Sequence, residues 1–216
     1  MALSKLKYNS LNVTPTASKA IGFDSGADDL SSSLSGGSMN FIKKVTASSD
    51  SDISFVNGAS SVVLDNTYKE YLFTFNNIHP ANDNVYFQVN FRDGSTAYDA
   101  TKTSTVFEAY HLESGDAAVG YKGSSDLAQS TGVQRITSNI GNDNDQCGSG
   151  YLHLFNPSDT TFVKHFIARA VHYASDYAED HYTSGYCNVT AAIDAVQFSM
   201  SAGNIDAGDI CLYGIS

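Results

Sequence analysis

Tryptophan is absent from the sequence, so the indole platforms common in sugar clefts are excluded from the start. Cysteine is nearly as scarce. Cys147, Cys187 and Cys211 are odd in number and stand at no metal-like spacing, which excludes a disulfide framework and leaves isolated thiols as the reading. Charged residues make up only 16% of the chain, too few for the Glu-, Lys- and Gln-rich faces of long surface helices. Positive charge is the rarer sign: 12 Lys and Arg stand against 23 Asp and Glu, a net charge of -11. With no local basic patch, such a surface repels phosphate backbones and anionic lipid, so nucleic acid is excluded as a partner. No apolar run approaches the ~20 residues of a membrane span. The opening MALSKLKYNSLNV also lacks a continuous apolar segment of the secretory type. The expectation is synthesis in a cytoplasm and no membrane insertion.

What is present points to strands. Thirteen Tyr and twelve Phe accompany abundant Ser, Thr and Asn, the mixture that suits pleated, half-buried surfaces. Neither a fixed-period repeat nor a helix–strand alternation occurs, so a parallel sheet is not expected. The length suits one sandwich-sized body and an extension. Residues 1–38 read as an arm and linker: hydrophobes are scattered singly, and SGADDLSSSLSGGS has a linker's composition. Lys5, Lys7 and Lys19 balance Asp24, Asp28 and Asp29, so the body, residues 39–216, carries the whole negative excess.

Within the body, strand-length runs alternate with turn residues, as in an all-β sandwich or barrel. MNFIKKVTA opens it, and SDISFV (51–56) and YKEYLFTF (68–75) follow, with Tyr71, Phe73 and Phe75 on one side. NVYFQVNF (84–91) puts Val85, Phe87, Val89 and Phe91 on an apolar face and Tyr86, Gln88 and Asn90 on a wet one. STVFEAYHL (104–112) is expected as its antiparallel partner across the turn RDGSTAYD. GVQRITSNI and GYLHLFNP add two short runs. TFVKHFIARAVHYA (161–174) fits a helix face or a strand side, and its β-branched residues favour the strand. AIDAVQFSM and GDICLYGI read as a hairpin whose second member has neighbours on both sides. A last strand held in the core up to Ser216 leaves the arm as the route of attachment to anything larger.

Catalytic signatures are missing. QCGSGY (146–151) has Gly150 where a papain-type site needs its thiol, and it is read as a turn entering a strand. DNDQCG (143–148) begins like a calcium loop but has Leu154 where a bidentate Glu is required, so it is read as a turn. The stretch 172–187 collects His172, Asp176, Glu179, Asp180, His181 and Cys187. Their spacing fits no zinc pattern unless Asp176 or Asp180 acts with His181. No metal and no cofactor is expected, and the stretch reads as an exposed loop. Its Tyr173, Tyr177, Tyr182 and Tyr186 are the flat, amphipathic side chains that stack on sugars or anchor protein contacts. Glycoside hydrolysis needs two carboxylates, and Glu70, Glu108, Glu113 and Glu179 are the only glutamates; nothing in the sequence selects a pair. No catalytic residue is assigned.

The opening LSKLKYNSLNVTPTASKAIGFDS is similar to the anchoring leader of a group of virion structural proteins from tailed phages of marine bacteria. The phrases SFVNGASSVVLDNTYKEYLFTFNNIHP, DLAQSTG, DNDQCGSGYLHLFNPSDTTFVKHFIA and FSMSAGNIDAGDICLYGI resemble those of phage tail, fibre or capsid-surface proteins. The resemblance implies a jelly-roll-like antiparallel β-sandwich in multiple copies on a particle, with trimers as the expected oligomer and no enzymatic activity. An arm with little apolar surface gains order by docking, so Leu3, Leu6, Tyr8, Leu11 and Val13 are the expected contacts to a tail or capsid neighbour. A receptor-binding module that recognises host surface glycans through the loop tyrosines is the alternative. A polysaccharide depolymerase ranks last.

Overall fold

The computed structural model describes residues 22–23, 30–31 and 38–216. The expected arm contacts Leu3, Leu6, Tyr8, Leu11 and Val13 lie outside the described residues. The chain divides into two compact units, Met1–Asn40 and Phe41–Ser216. In the first, β1 (Gly22–Phe23) pairs antiparallel with β2 (Leu30–Ser31).

The larger unit contains β3 (Met39–Thr46, which starts in the first unit), β4 (Asp52–Val56), β5 (Glu70–Pro80), β6 (Val85–Arg92), β7 (Lys102–Leu112) and β8 (Ala117–Tyr121). It continues with β9 (Gln134–Ile140), β10 (Gly148–Phe155), β11 (Lys164–Ala174), β12 (Tyr177–Cys187), β13 (Ala195–Met200) and β14 (Ile205–Ile215). No helix occurs among the described residues. An eight-stranded sheet runs β3-β14-β5-β10-β11-β12-β7-β8, and a four-stranded sheet runs β4-β13-β6-β9. The strands pair antiparallel, and the two sheets pack as a β-sandwich.

Period-two alternation explains the core. Tyr71, Phe73 and Phe75 of β5, Phe87 and Phe91 of β6, and Val196 and Phe198 of β13 all point between the sheets and are at most 2% exposed. Phe198 is the hub. Its ring meets Phe55 at 6.2 Å, Phe73 at 5.4 Å and Phe75 at 5.1 Å, and stacks on Phe87 at 5.6 Å. Gly150 is dictated by a close approach, since a Cβ there would stand against the Arg169 carbonyl and Ala170 of the neighbouring strand.

Several local expectations hold. Residues 164–174 are a strand, and Val163 apart, the side on which His165, Ile167, Arg169 and Val171 were placed is the outward one. The three cysteines are free, and 143–146 forms a turn closed by Gln146 N–H on the Asp143 carbonyl at 2.9 Å.

Four expectations are corrected. First, β7 does not pair with β6; it pairs with β12 and β8, while β6 lies between β13 and β9. Residues 93–101 are too long for a tight hairpin and carry the chain from one sheet to the other. Second, the last two strands are no hairpin. β13 lies in the small sheet and β14 in the large one, between β3 and β5. Both bury one apolar side in the core, each from its own sheet, rather than sharing an edge. Third, the wet side of β6 is covered: Gln88 and Asn90 are 9% and 8% exposed. Their amides donate to the Met200 carbonyl at 3.2 Å and the Thr131 carbonyl at 3.3 Å. Fourth, 172–187 is not a loop; β11 and β12 form a long hairpin turning at Ser175, whose φ is 59°.

Candidate functional site

That hairpin decides where the chemistry-bearing residues of 172–187 point. Strand alternation sends Tyr182, Tyr186 and Asp180 to the outer face of the large sheet, and sends Tyr177, Glu179, His181 and Thr183 inward. The four tyrosines expected on one loop are therefore divided. Tyr177 opens β12 on the inward side, whereas Tyr173 near the end of β11 and Tyr182 and Tyr186 along β12 take the outward side. Asp180 is not beside His181 but on the opposite side of the strand. There its carboxylate accepts from Arg169 Nη2 at 2.6 Å and Nε at 3.0 Å, which holds its pKa below the usual range.

Two arrangements result. On the outer face, register lines up Tyr151, Arg169, Tyr182, Phe107 and Tyr121 on five consecutive strands, β10, β11, β12, β7 and β8. Phe107 stacks on Tyr182 with centroids 4.5 Å apart and an interplanar angle of 7°. The Arg169 guanidinium lies over the Tyr182 ring, 4.7 Å from its centroid. Around this row Ile167, Val171 and Val119 are 47%, 50% and 73% exposed. β8 is exposed along its whole length and forms an edge of the sheet.

On the inner face, the interior between β7, β11, β12 and β9 is polar where the rest of the core is aromatic. Glu108 of β7 lies directly opposite His181 of β12, and Glu179 lies opposite His172 of β11. His181, His172 and Glu179 are 0%, 2% and 4% exposed. Lys122, which follows β8, donates to Glu108 Oε1 at 2.7 Å. Glu108, Glu179 and Lys122 border a cleft of about 430 Å³, also lined by Tyr110, Ser138, Asn139, Asp176 and Tyr177.

Burial governs the electrostatics. It pushes the Glu179 carboxyl up to about 8, with the hydrogen-bonding and negatively charged Glu108 adding to the rise and Lys122 opposing it. Burial likewise pushes His181 and His172 down to about 4, His172 further disfavoured by the neighbouring His181. As two carboxylates, Glu108 Oε2 and Glu179 Oε1 find no donor. A proton on Glu179 supplies one, which adds to the effect of burial on its pKa.

The sequence names Glu108 and Glu179 among four glutamates, and the fold brings these two together. Glu70 is elsewhere, paired with His153 on the outer side of β5 and β10, and Glu113 lies in the turn after β7. The signal that Glu179 and His181 share a side was present in the alternation of YAEDHYTS. Their meeting with Glu108 depends on a pairing between strands some seventy residues apart, which alternation does not encode. Comparison of the chain with protein-family models, with curated proteins and with solved structures yields no match.

Proposed function

We propose that the protein is a non-enzymatic structural component of a bacteriophage virion, with the β-sandwich body repeated beside copies of itself on a tail or capsid. The carrying observation is the outer face of the large sheet, where Phe107, Tyr121, Val119, Ile167 and Val171 form an apolar patch, exposed among the described residues, that runs to the edge strand β8. Exposed flat strands of this kind invite pairing, and proteins keep them only where a neighbour covers them. Charge favours a second copy as that neighbour. The chain is strongly acidic, yet the one cation and one anion at the centre of this face, Arg169 and Asp180, neutralise each other, so two copies meet there without like-charge repulsion. The virion setting rests on the resemblance of the sequence phrases to those of phage structural proteins.

Sedimentation equilibrium of the full chain tests the body's part in this reading. A concentration-dependent oligomer is expected, reduced to monomer by Phe107→Asp with Ile167→Asp. A wild-type monomer at all concentrations overturns it. Gold-labelled antibody against the body tests the virion setting, and purified particles without label refute it.

The aromatic row favours a second reading, recognition of a host surface glycan. Strands are about 4.8 Å apart, so the row from Tyr151 to Tyr121 extends about 19 Å, the length of several sugar rings. A polysaccharide array separates the readings: binding abolished by Tyr182→Ala while the oligomer persists supports recognition, and silence across bacterial polysaccharides removes it.

A further inference from the structure

We propose that Glu108, Glu179 and His181 bind one divalent transition-metal ion of the zinc class between β7 and β12, with His172 beside them as a further donor. One ligand atom from each of the three residues lies within 4.8 Å of the others. A modest closure brings such atoms to the spacing of a tetrahedral ion's ligands, at about 2 Å from the metal. Independently of that proximity, the lone pairs are unclaimed. Glu108 Oε2, Glu179 Oε1, His181 Nε2 and both ring nitrogens of His172 have no hydrogen-bond partner, although His181 and His172 are almost wholly removed from water. Buried polar atoms in native proteins are satisfied as a rule, and one ion taking the place of the proton between the two carboxyls would pair Glu108 Oε2, Glu179 Oε1 and His181 Nε2 together.

The donor set selects the partner. Imidazole nitrogen with carboxylate oxygen suits zinc, manganese or iron(II), whereas calcium prefers six or more oxygens and a thiolate-seeking ion would find none here. Lys122 does not compete for the same atom, because it engages Glu108 Oε1 and leaves Oε2. Its ammonium holds the Glu108 carboxylate in one orientation, as carboxylate-binding groups do around metal ligands. The Thr183 hydroxyl, 3.4 Å from His181 Nδ1, similarly leaves Nε2 as the coordinating nitrogen. The cleft lined by Tyr110, Asp176 and Tyr177 gives an ion its way in.

The experiment uses the full chain, stripped with chelator and dialysed against Zn²⁺ or Co²⁺ alone. About one ion per chain is expected by elemental analysis, at a single site of this type. The Glu179→Gln and His181→Gln variants are expected to lose it, while Asp180→Asn, on the other side of the same strand, retains it. Should the first two fail to fold, Co²⁺ added to the wild-type chain is expected to shift paramagnetically the amides of Glu108, Glu179 and His181 before any others. No bound ion in the wild-type chain, or paramagnetic shifts centred elsewhere, would overturn the site.

Discussion

The buried cluster makes the stability of the chelated, metal-free protein depend on pH in a way that can be worked out beforehand. Glu179 is faced by Glu108 and Lys122 from the β7–β8 side, by His172 from β11, by His181 on its own strand, by Ser138 from β9, and by Asp176 and Tyr177 at the cleft. Its carboxyl rises from 4.5 to about 8 on folding, so between those values the folded state holds a proton that the unfolded state has released. Stability from this group therefore falls as pH rises. His172 and His181 act in the opposite sense: their folded values near 4 lie below the ordinary 6.5, so the unfolded chain binds more protons below pH 6.5 and stability falls on acidification. Two histidines outweigh one carboxyl on the acid side, and the carboxyl acts alone above it. The maximum is expected near pH 6.5. At 1.36 kcal/mol per pKa unit, going from pH 6.5 to 8 removes about 1 kcal/mol net, and going to pH 5 also removes about 1 kcal/mol net. Urea unfolding at half-unit pH steps in the presence of chelator measures this directly, with the Glu179→Gln variant alongside. In that variant the alkaline fall is expected to vanish while the acid fall steepens, because its opposing proton is gone. A wild-type profile flat from pH 6.5 to 8, or an alkaline fall unchanged in Glu179→Gln, would refute the assignment of the proton to this carboxyl.

Three further outcomes follow from packing. Phe198→Ala removes the ring that four other phenylalanines touch, and a loss of about 3–5 kcal/mol is expected by urea denaturation. Gly150→Ala drives a methyl against the main chain of β11, and since backbone cannot rotate away, about 1–3 kcal/mol should be lost, read as a lower melting temperature. Tyr71→Phe deletes the hydroxyl that donates to the Asp65 carbonyl at 2.9 Å from a buried ring, and chemical denaturation should register a loss of about 1 kcal/mol.

The alternation of single residues was sufficient to determine strands and sides. Tyr71, Phe73 and Phe75, or Val196, Phe198 and Met200, can be buried together only if the chain is extended, because only a strand sends every second side chain the same way. The same period placed Glu179 and His181 on one side of β12, legible in the order of letters alone. Which strand lies beside which is another matter. The turns at 93–101 and 201–204 look, in sequence, like hairpin connections, yet both carry the chain between sheets. A sandwich gives an apolar side the same burial whether its sequence neighbour lies next to it or across the core, so hydrophobic pattern does not separate the two. The meeting of Glu108 with Glu179 and His181 was decided by such a long-range pairing. The tertiary structure alone could place two acids and two imidazoles in one water-poor space, because only there do burial and mutual charge act on them together.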